Sequence, residues 1–441
     1  MQKAWLWKAL TVGVLALLLL IPLAMIQGQV EARNERQMKA TAEIEELTAG
    51  EQQLVGPLLV VNYTEETVSQ EKNEKTGEVR ALSRWKKGYR ILVPRTLQMA
   101  CEAQVKERHR GLFKAQAYEI DGTLRGEFRV PKGFGLEEGR RIVPGKAHLV
   151  VGLSDLRGIR HPPVLQWEGA ALEFKPGVAE DILKQGIQTD LGPAARLEGR
   201  SIPFELPLAL KGAQSFSVAP VAETTQVRMR SAWPTPSFRG RFAATHTEDA
   251  RGFEATWEVL HLSRNLARIL EGKGESTEVF GVAFIKGINV YLQSERAVKY
   301  GFLFVGLVFA AFFFFELLRK LPIHPIHYLL VGFALALFFL LLLSLSERLP
   351  FPLAYGIASA ACTWLIGAYL VHVLRSPGRG WGFAGALVLL FAVLYGLLSS
   401  EDNALLMGSL VLFLGLAALM LGTRRVNWYQ VSEAPQPPAG S

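Results

Sequence analysis

The chain has little cysteine: it contains only two, Cys101 in a polar stretch and Cys362 in an apolar run. Two such residues cannot provide the disulfide framework that stabilises small secreted domains. The polar middle of the chain must therefore owe its stability to a packed core, which roughly 270 residues are enough to build.

The sequence also lacks the common motifs of nucleotide-dependent and zinc enzymes. No dinucleotide-type G-x-G-x-x-G, P-loop or H-E-x-x-H occurs in a suitable context, and no internal repeat of fixed period is present. The sequence therefore leads us to assign no catalytic, cofactor-binding or metal-binding residues, and no cofactor.

Excess charge is lacking in the middle of the chain. The net charge of +8 equals the number of cations that border apolar segments, which are Lys3, Lys8, Arg319, Lys320, Arg375, Arg379, Arg424 and Arg425. The remainder is close to neutral, so the positive charge indicates membrane topology rather than a nucleic-acid partner.

Long apolar runs are abundant at the two ends of the chain. A helix needs about 20 apolar residues to cross about 30 Å of hydrocarbon. Six runs meet this requirement, near residues 8–27, 300–318, 327–346, 351–374, 381–399 and 404–422. The first run follows Lys3 and Lys8 but has no A-x-A cleavage pattern, which favours an uncleaved anchor over a signal peptide.

The basic residues give one consistent orientation. If the amino terminus is cytoplasmic, every pair of flanking cations named above also falls on the cytoplasmic side, whereas residues 399–403 of an opposite loop contain no Lys or Arg. We therefore expect a multi-pass protein of a bacterial inner membrane with both termini cytoplasmic and a large periplasmic domain.

The segment between the first two spans changes character along its length. Residues 29–50 are rich in charge and helix formers and predict a helical stalk, whereas short strands with turn residues follow from Gly56-Pro57. Asp121-Gly122, between two alternating runs, predicts a two-residue hairpin turn. Further strands are predicted near residues 54, 147, 164, 202, 225, 253 and 280, the last of them over the string FGVAFIKGINVYL.

These features predict a membrane protein of α plus β class, with one amino-terminal and five carboxyl-terminal spans and a β-rich sandwich or sheet stack between them. The expected divisions are an anchor at 1–28, a stalk at 29–53, the β-rich domain at 54–298, a five-helix bundle at 299–423 and a cytoplasmic tail at 424–441.

Several strings resemble the CreD family of inner-membrane proteins. They are LVGPLL at 54–59, GLSDLRGI at 152–159, SAWPTPSFRG at 231–240, RAVKYGFLFVGLVFAAFFFFE at 296–316 and HPIHYLLVGFALALFFLLLLSLSE at 324–347. The resemblance covers nearly the whole chain, with one departure at His327, where the family commonly has Gln. It implies a role in cell-envelope integrity associated with a two-component stress response, and it implies no established catalytic activity.

Polar residues near the spans are the candidates for a structural or functional cluster. Glu316 lies at the end of the second span, where Arg319 and Lys320 could pair with it. His324 and His327 have H-x-x-H spacing, but Pro325 between them favours a helix cap over a metal site. Glu347, Arg348, Glu401 and Asp402 lie in the outer loops, where they form either one patch that docks the outer domain or separate solvated charges.

In the outer domain, Asp155 and Arg157 predict a buried structural ion pair between Gly152 and Gly158. The leading functional hypothesis is a non-enzymatic envelope protein whose outer domain binds an envelope component. The alternatives are an enzyme acting on a lipid or cell-wall precursor through Asp155, His161 or the loop acids, and a sensor that contacts another membrane protein through its helices. The expected partners are the lipid bilayer and an envelope component or membrane protein, and the sequence leaves the oligomeric state open.

Overall fold

The chain divides into two compact units in a computed structural model that describes residues 2–72, 79–110, 113–136, 141–178, 182–271, 278–284, 290–319, 323–399 and 404–424. One unit comprises Met1–Met38 and Ile288–Ser441, and the other comprises Lys39–Gly287. The first is helical and the second is built mainly from strands.

The described residues form helices at both ends of the chain. They are α1 (Gln2–Leu18), α2 (Leu20–Thr48), α3 (Leu266–Glu271), α4 (Val290–Arg319), α5 (Pro325–Ser346), α6 (Phe351–Val373), α7 (Pro377–Ser399) and α8 (Ala404–Thr423). Of these, α3 belongs to the strand-rich unit.

Five helical segments of the described residues are long and apolar enough to cross a membrane. They are Leu10–Thr48, Gln293–Phe313, Pro325–Ser346, Phe351–Val373 and Pro377–Ser399. The sixth predicted span coincides with α8, whose described apolar run, Leu406–Ala417, is shorter. The prediction of one amino-terminal span and a carboxyl-terminal group of spans is therefore confirmed.

The first span is interrupted at Leu19, between α1 and α2. Pro22 has no backbone N–H, so it cannot donate to the carbonyl of Leu18 four residues earlier, and the ladder loses one bond there. Leu19 and Leu23 still donate to the residues four positions before them, at 3.1 and 3.3 Å. The chain therefore continues in one helical path through a local break.

Helix α2 extends beyond the predicted membrane segment and ends at Thr48, five residues before the predicted end of the stalk. Gly50 has a positive φ of 53°, and its N–H donates to the Glu45 carbonyl at 2.8 Å, which closes the helix end. The first strand then begins at Gln52, inside the segment that the sequence assigned to the stalk.

The strand-rich unit contains two sheets of eight strands within the described residues. The strands are β1 (Gln52–Lys72), β2 (Val79–Leu92), β3 (Thr96–Arg110), β4 (Phe113–Arg129), β5 (Ile142–Leu153), β6 (Val164–Trp167), β7 (Ala170–Glu173), β8 (Lys175–Pro176), β9 (Gly186–Pro193), β10 (Ser201–Ala213), β11 (Ser215–Ala219), β12 (Thr224–Ser231), β13 (Ser237–Gly240), β14 (Thr245–Asp249), β15 (Gly252–Leu260) and β16 (Phe280–Ala283). The first sheet has the order β13-β16-β11-β1-β5-β9-β8, with β2 also paired to β1, and the second has the order β14-β15-β12-β3-β4-β10-β6-β7.

The two sheets share one hydrophobic core because alternate residues of each strand point inward. Strand β10 shows this pattern clearly, since Ile202, Phe204, Leu206, Leu208 and Leu210 are buried while their neighbours are more exposed. Aromatic contacts cross between the sheets: Trp257 stacks on Phe280 at 5.4 Å, and Tyr118 packs edge-on against Phe216 at 6.4 Å. This arrangement agrees with the predicted sheet stack.

The predicted hairpin turn at Asp121-Gly122 is wrong. Both residues lie inside the continuous strand β4, which pairs with β3 on one side and β10 on the other. Gly122 serves a close approach between strands, since a Cβ atom there would lie 2.8 Å from the Cβ of Cys101. Pairing on both edges thus overrides the local turn preference of an Asp-Gly pair.

The strand predicted near residue 280 is shorter than the apolar pattern suggested. Strand β16 ends at Ala283, and residues from Val290 onward belong to helix α4. This helix begins ten residues before the predicted start of the second span and contains the Asn-Val-Tyr-Leu string only from its valine. A short apolar run does not by itself distinguish a strand from the first turn of a helix.

Candidate functional site

The most enclosed charged group described in the helical unit is the carboxylate of Glu316, in the last turns of α4. Its side chain is 0% exposed and accepts hydrogen bonds from three donors. The Lys8 ammonium on α1 and the Ile323 N–H, at 3.2 Å, both donate to Oε1, and the Tyr328 hydroxyl on α5 donates to Oε2 at 2.6 Å. We call Lys8, Glu316 and Tyr328 the membrane triad.

Aromatic and aliphatic side chains surround the membrane triad. The ring of Tyr328 packs against Phe312 at 4.6 Å and Phe309 at 5.8 Å. One turn further along α5, Gly332 allows close packing of the Leu19 side chain, since a Cβ atom there would lie 2.0 Å from Leu19 Cδ1. The low-dielectric surroundings strengthen the ion pair, but they also make either charge costly without its partner.

Glu316 has a partner that the sequence did not suggest. The carboxylate contacts Lys8, which is 308 positions away in the chain. The pairing with Arg319 and Lys320 stays a prediction. The side chain of Arg319 and the whole of Lys320 lie outside the described residues. The sequence signal for the pairing of Lys8 with Glu316 was that both charges lie within or next to apolar runs and on the same predicted side of the membrane.

The two histidines of the H-x-x-H pair have separate partners. His324 precedes α5, and its Nδ1 accepts a hydrogen bond from the Ile326 N–H at 3.3 Å, while Pro325 occupies the first turn. The Nδ1 atom of His327 lies 2.6 Å from the Tyr369 hydroxyl of α6. Across the described ranges, no three His, Cys, Asp or Glu side chains are grouped so that they could hold a metal ion.

At the other end of the first span, Arg33 of α2 pairs with Glu347, whose Oε1 lies 3.3 Å from the guanidinium Nε. Glu347 follows the last turn of α5, and Arg348 lies beside it. Glu401 and Asp402 lie outside the described residues, so the single outer patch that would include them stays a prediction.

In the strand-rich unit, Asp155 and Arg157 form the predicted ion pair, but the pair is not buried. The Arg157 side chain is 62% exposed, and its guanidinium donates to Asp155 at 2.6 to 3.1 Å and to the Glu46 carbonyl at 2.8 Å. The hydrogen bonds from Arg157 lower the pKa of the Asp155 carboxyl below its ordinary value. The pair therefore ties a surface turn to the end of α2.

The outward face of the second sheet carries a shallow depression of about 310 Å³. The smallest residues that line it are Ala100 of β3 and Thr123 of β4. Its lining consists of Gln98, Met99, Ala100, Thr123, Arg125, Gln226 and Arg228. The Arg125 guanidinium is paired with Glu205 at 2.7 Å, so the depression offers mixed donors and acceptors rather than one charge.

The two units together define a class: a multi-pass membrane protein that carries a two-sheet domain between its first and second spans. The family model described as "Inner membrane protein CreD" matches residues 4–429. The chain belongs to the CreD family of inner-membrane proteins, as the resemblance of its motifs predicted.

A curated relative supports the same assignment. The chain is 34% identical over 431 residues to the "Inner membrane protein CreD" of Escherichia coli (strain K12), and the match covers 97% of this chain and 94% of that protein. Among solved structures, two crystal structures of the M1 zinc metallopeptidase from Deinococcus radiodurans, one of them a mutant with a bound peptide substrate, match 37% of this chain and 38% of theirs at 12 and 13% identity. Their TM-score of 0.18 is too low to carry an argument about fold or function.

Proposed function

We propose that this inner-membrane protein contributes to cell-envelope integrity by non-catalytic binding, with its β-rich unit in the periplasm and both termini in the cytoplasm. The orientation rests on the distribution of Lys and Arg among the loops. The envelope role follows from the motifs shared with the CreD family.

The proposal of non-catalytic binding rests mainly on one observation: the candidate acids that the structure describes are held in ion pairs with other side chains. Asp155 is held by the guanidinium and the backbone N–H of Arg157. Of the loop acids, Glu347 is paired with Arg33, and Glu401 and Asp402 lie outside the described residues. A general base must be free to take a proton from a substrate, and the lowered pKa of Asp155 makes it a weak base.

His161 is the other residue of the enzyme alternative, and it lies on the exposed surface. Catalysis would require a nucleophile or base oriented by a second group close to the reacting atoms. The geometry of the described residues thus favours binding over chemistry.

The test is complementation of a strain that lacks the protein and is scored for sensitivity to envelope stress. We expect Asp155→Asn, His161→Ala and the double variant to restore growth as well as the wild-type chain does. Loss of complementation by these variants at normal protein levels would instead support an enzyme.

A matched control is Lys8→Met, which leaves the buried Glu316 carboxylate without its cation. We expect this variant to fail because the protein level in the membrane falls, since it disturbs the helical unit rather than a surface site. Immunoblotting of membrane fractions separates the two kinds of failure.

A further inference from the structure

A cationic and aromatic segment lies on strand β2. Residues 84–90 read Arg-Trp-Lys-Lys-Gly-Tyr-Arg, with four cations, two aromatic residues and no acid. Strand β2 pairs only with β1 within the described residues, and residues 61–68 face residues 83–90 in antiparallel register. We call these two paired segments the β1–β2 ribbon.

The side chains of this segment are accessible. Trp85 is 52% exposed and Tyr89 is 42% exposed, and the four cations, Arg84, Lys86, Lys87 and Arg90, are also exposed. The alternation of a strand places Trp85, Lys87 and Tyr89 on one face of the ribbon. Arg84, Lys86 and Arg90 lie on the other face, so both faces carry cations.

Arg141 adds to the positive charge of the β1–β2 ribbon. Glu66, opposite Trp85, is occupied by the Ser83 hydroxyl and by Arg141 at 3.7 Å. The Arg141 guanidinium also lies over the Trp85 ring, 5.9 Å from its centroid, and brings a further cation to that face. The four β2 cations therefore outnumber the acids on the paired segment of β1, which are Glu65 and Glu66.

Lysines on an edge strand often serve only to prevent edge-to-edge pairing of sheets. That role explains Lys86 and Lys87, but it does not explain two exposed aromatic rings, which increase the tendency of an edge to associate. Trp and Tyr beside Lys and Arg are the combination found at membrane–water interfaces, because the rings are amphipathic and the cations attract lipid phosphates.

We propose that the β1–β2 ribbon binds anionic phospholipid headgroups, with Arg84, Lys86, Lys87 and Arg90 contacting phosphates and Trp85 and Tyr89 entering the interfacial layer. This inference rests on the proposed function, because it identifies the envelope component that the β-rich unit binds. Charge complementarity selects the occupant: a positive ribbon and a negatively charged lipid surface.

The test uses the full chain in nanodiscs of phosphatidylcholine, mixed with vesicles that contain either phosphatidylcholine alone or added phosphatidylglycerol. A fluorescent label at Ser83→Cys reports contact through quenching by a lipid-borne nitroxide. The label is selective because Cys101 and Cys362 are buried, and burial raises the pKa of the Cys101 thiol to about 12.

We expect vesicles with phosphatidylglycerol to bind the labelled chain at least about tenfold more tightly than neutral vesicles, with binding that weakens as salt rises. Replacing Lys86 and Lys87 by Gln should reduce this affinity by about fivefold per charge removed. Trp85→Ser with Tyr89→Ser should reduce it as well. Continued resistance of Cys101 to alkylation shows that each variant is folded.

Arg228→Gln is the matched control, because it removes an exposed cation from the outward face of the other sheet. We expect it to bind vesicles as the wild type does. An equal loss with Arg228→Gln, or no preference for anionic vesicles, would overturn the proposal. Crosslinking from position 83 to an acidic peptide without vesicle binding would also overturn it. None of these results depends on complementation by the Asp155 and His161 variants, so the two proposals fail separately.

Discussion

At the scale of single residues, Glu316 shows how the helical unit accommodates a charge in its interior. Its carboxylate is ionically paired with Lys8 and also receives two further hydrogen bonds, so its lone pairs are satisfied. Removing one member of such a group leaves the rest without compensation, and the cost exceeds the strength of the pair itself.

We predict that Lys8→Met destabilises the protein by about 3–5 kcal/mol, because it leaves the buried Glu316 carboxylate without its cation. The matched variant Arg33→Met breaks the more exposed pair with Glu347 and should cost at most about 1 kcal/mol. Denaturant unfolding of the detergent-solubilised full chain measures both values. Equal costs for the two variants would show that the membrane triad contributes no more than a surface pair.

The second prediction at this scale concerns acid stability. The lowered pKa of Asp155 means that its contribution to stability is complete above the unfolded-state pKa, near 3.8, and is lost as the pH falls through the lower folded-state pKa. Asp155→Asn should remove this part of the acid dependence, which can be measured from the denaturant midpoint of tryptophan fluorescence at each pH. Arg157→Gln should weaken the same dependence although the carboxyl group is retained, and an unchanged acid profile in both variants would contradict the assignment.

Glu316 was identifiable from the sequence as a charged residue at the end of a span, but its partner was not. Local spacing indicated Arg319 and Lys320, whereas the observed partner depends on which helices are neighbours in space. Lys8 was interpreted as a topology signal, and the tertiary contact gives it a structural role as well. The ion pair of Asp155 with Arg157 was predictable because the two residues are close in the chain, but its exposure was not.

At the scale of elements, strand β4 illustrates how tertiary pairing decides a local ambiguity. Asp121-Gly122 has the composition of a hairpin turn, yet both residues pair with β3 and β10. The strands near residues 54, 147, 202 and 253 were predictable because they are rich in apolar residues and are bounded by turn residues. The Asn-Val-Tyr-Leu string before the second span was misassigned because its apolar residues suit a strand and a helix equally.

We predict slow amide hydrogen exchange for Asp121, Gly122 and Thr123, because a strand with partners on both sides protects its backbone N–H groups. Hydrogen exchange with mass spectrometry on the full chain measures this directly. The type I′ turn at Glu168-Gly169, which joins β6 to β7 and has positive φ at both residues, provides an internal comparison and should exchange faster. Equally fast exchange at both positions would restore the hairpin interpretation.

At the scale of the whole molecule, hydropathy was sufficient to predict the order of spans and β-rich unit, since this signal acts over many residues and tolerates local errors. The order of the strands within each sheet could not be predicted from the sequence. The parallel pairing of β1 with β11 and of β3 with β12 joins segments that are distant in the chain, and no hairpin signal marks such contacts.

We predict that the mature protein keeps its first helix and has the two-sided topology given by its cations. Mass spectrometry should find the amino terminus before Leu10, and an impermeant thiol reagent applied to intact cells should label Ser83→Cys but not Arg424→Cys. An amino terminus near Gln29, or labelling at position 424, would contradict this arrangement.

The membrane triad can form only after most of the chain has been synthesised. Lys8 emerges from the ribosome at the start of synthesis, and Glu316 follows 308 positions later. At about 5–20 residues per second, Glu316 is therefore synthesised about 15 to 60 s after Lys8. During this interval the lysine can extend its ammonium towards the lipid headgroups, and the later arrival of α4 fixes it in the finished bundle.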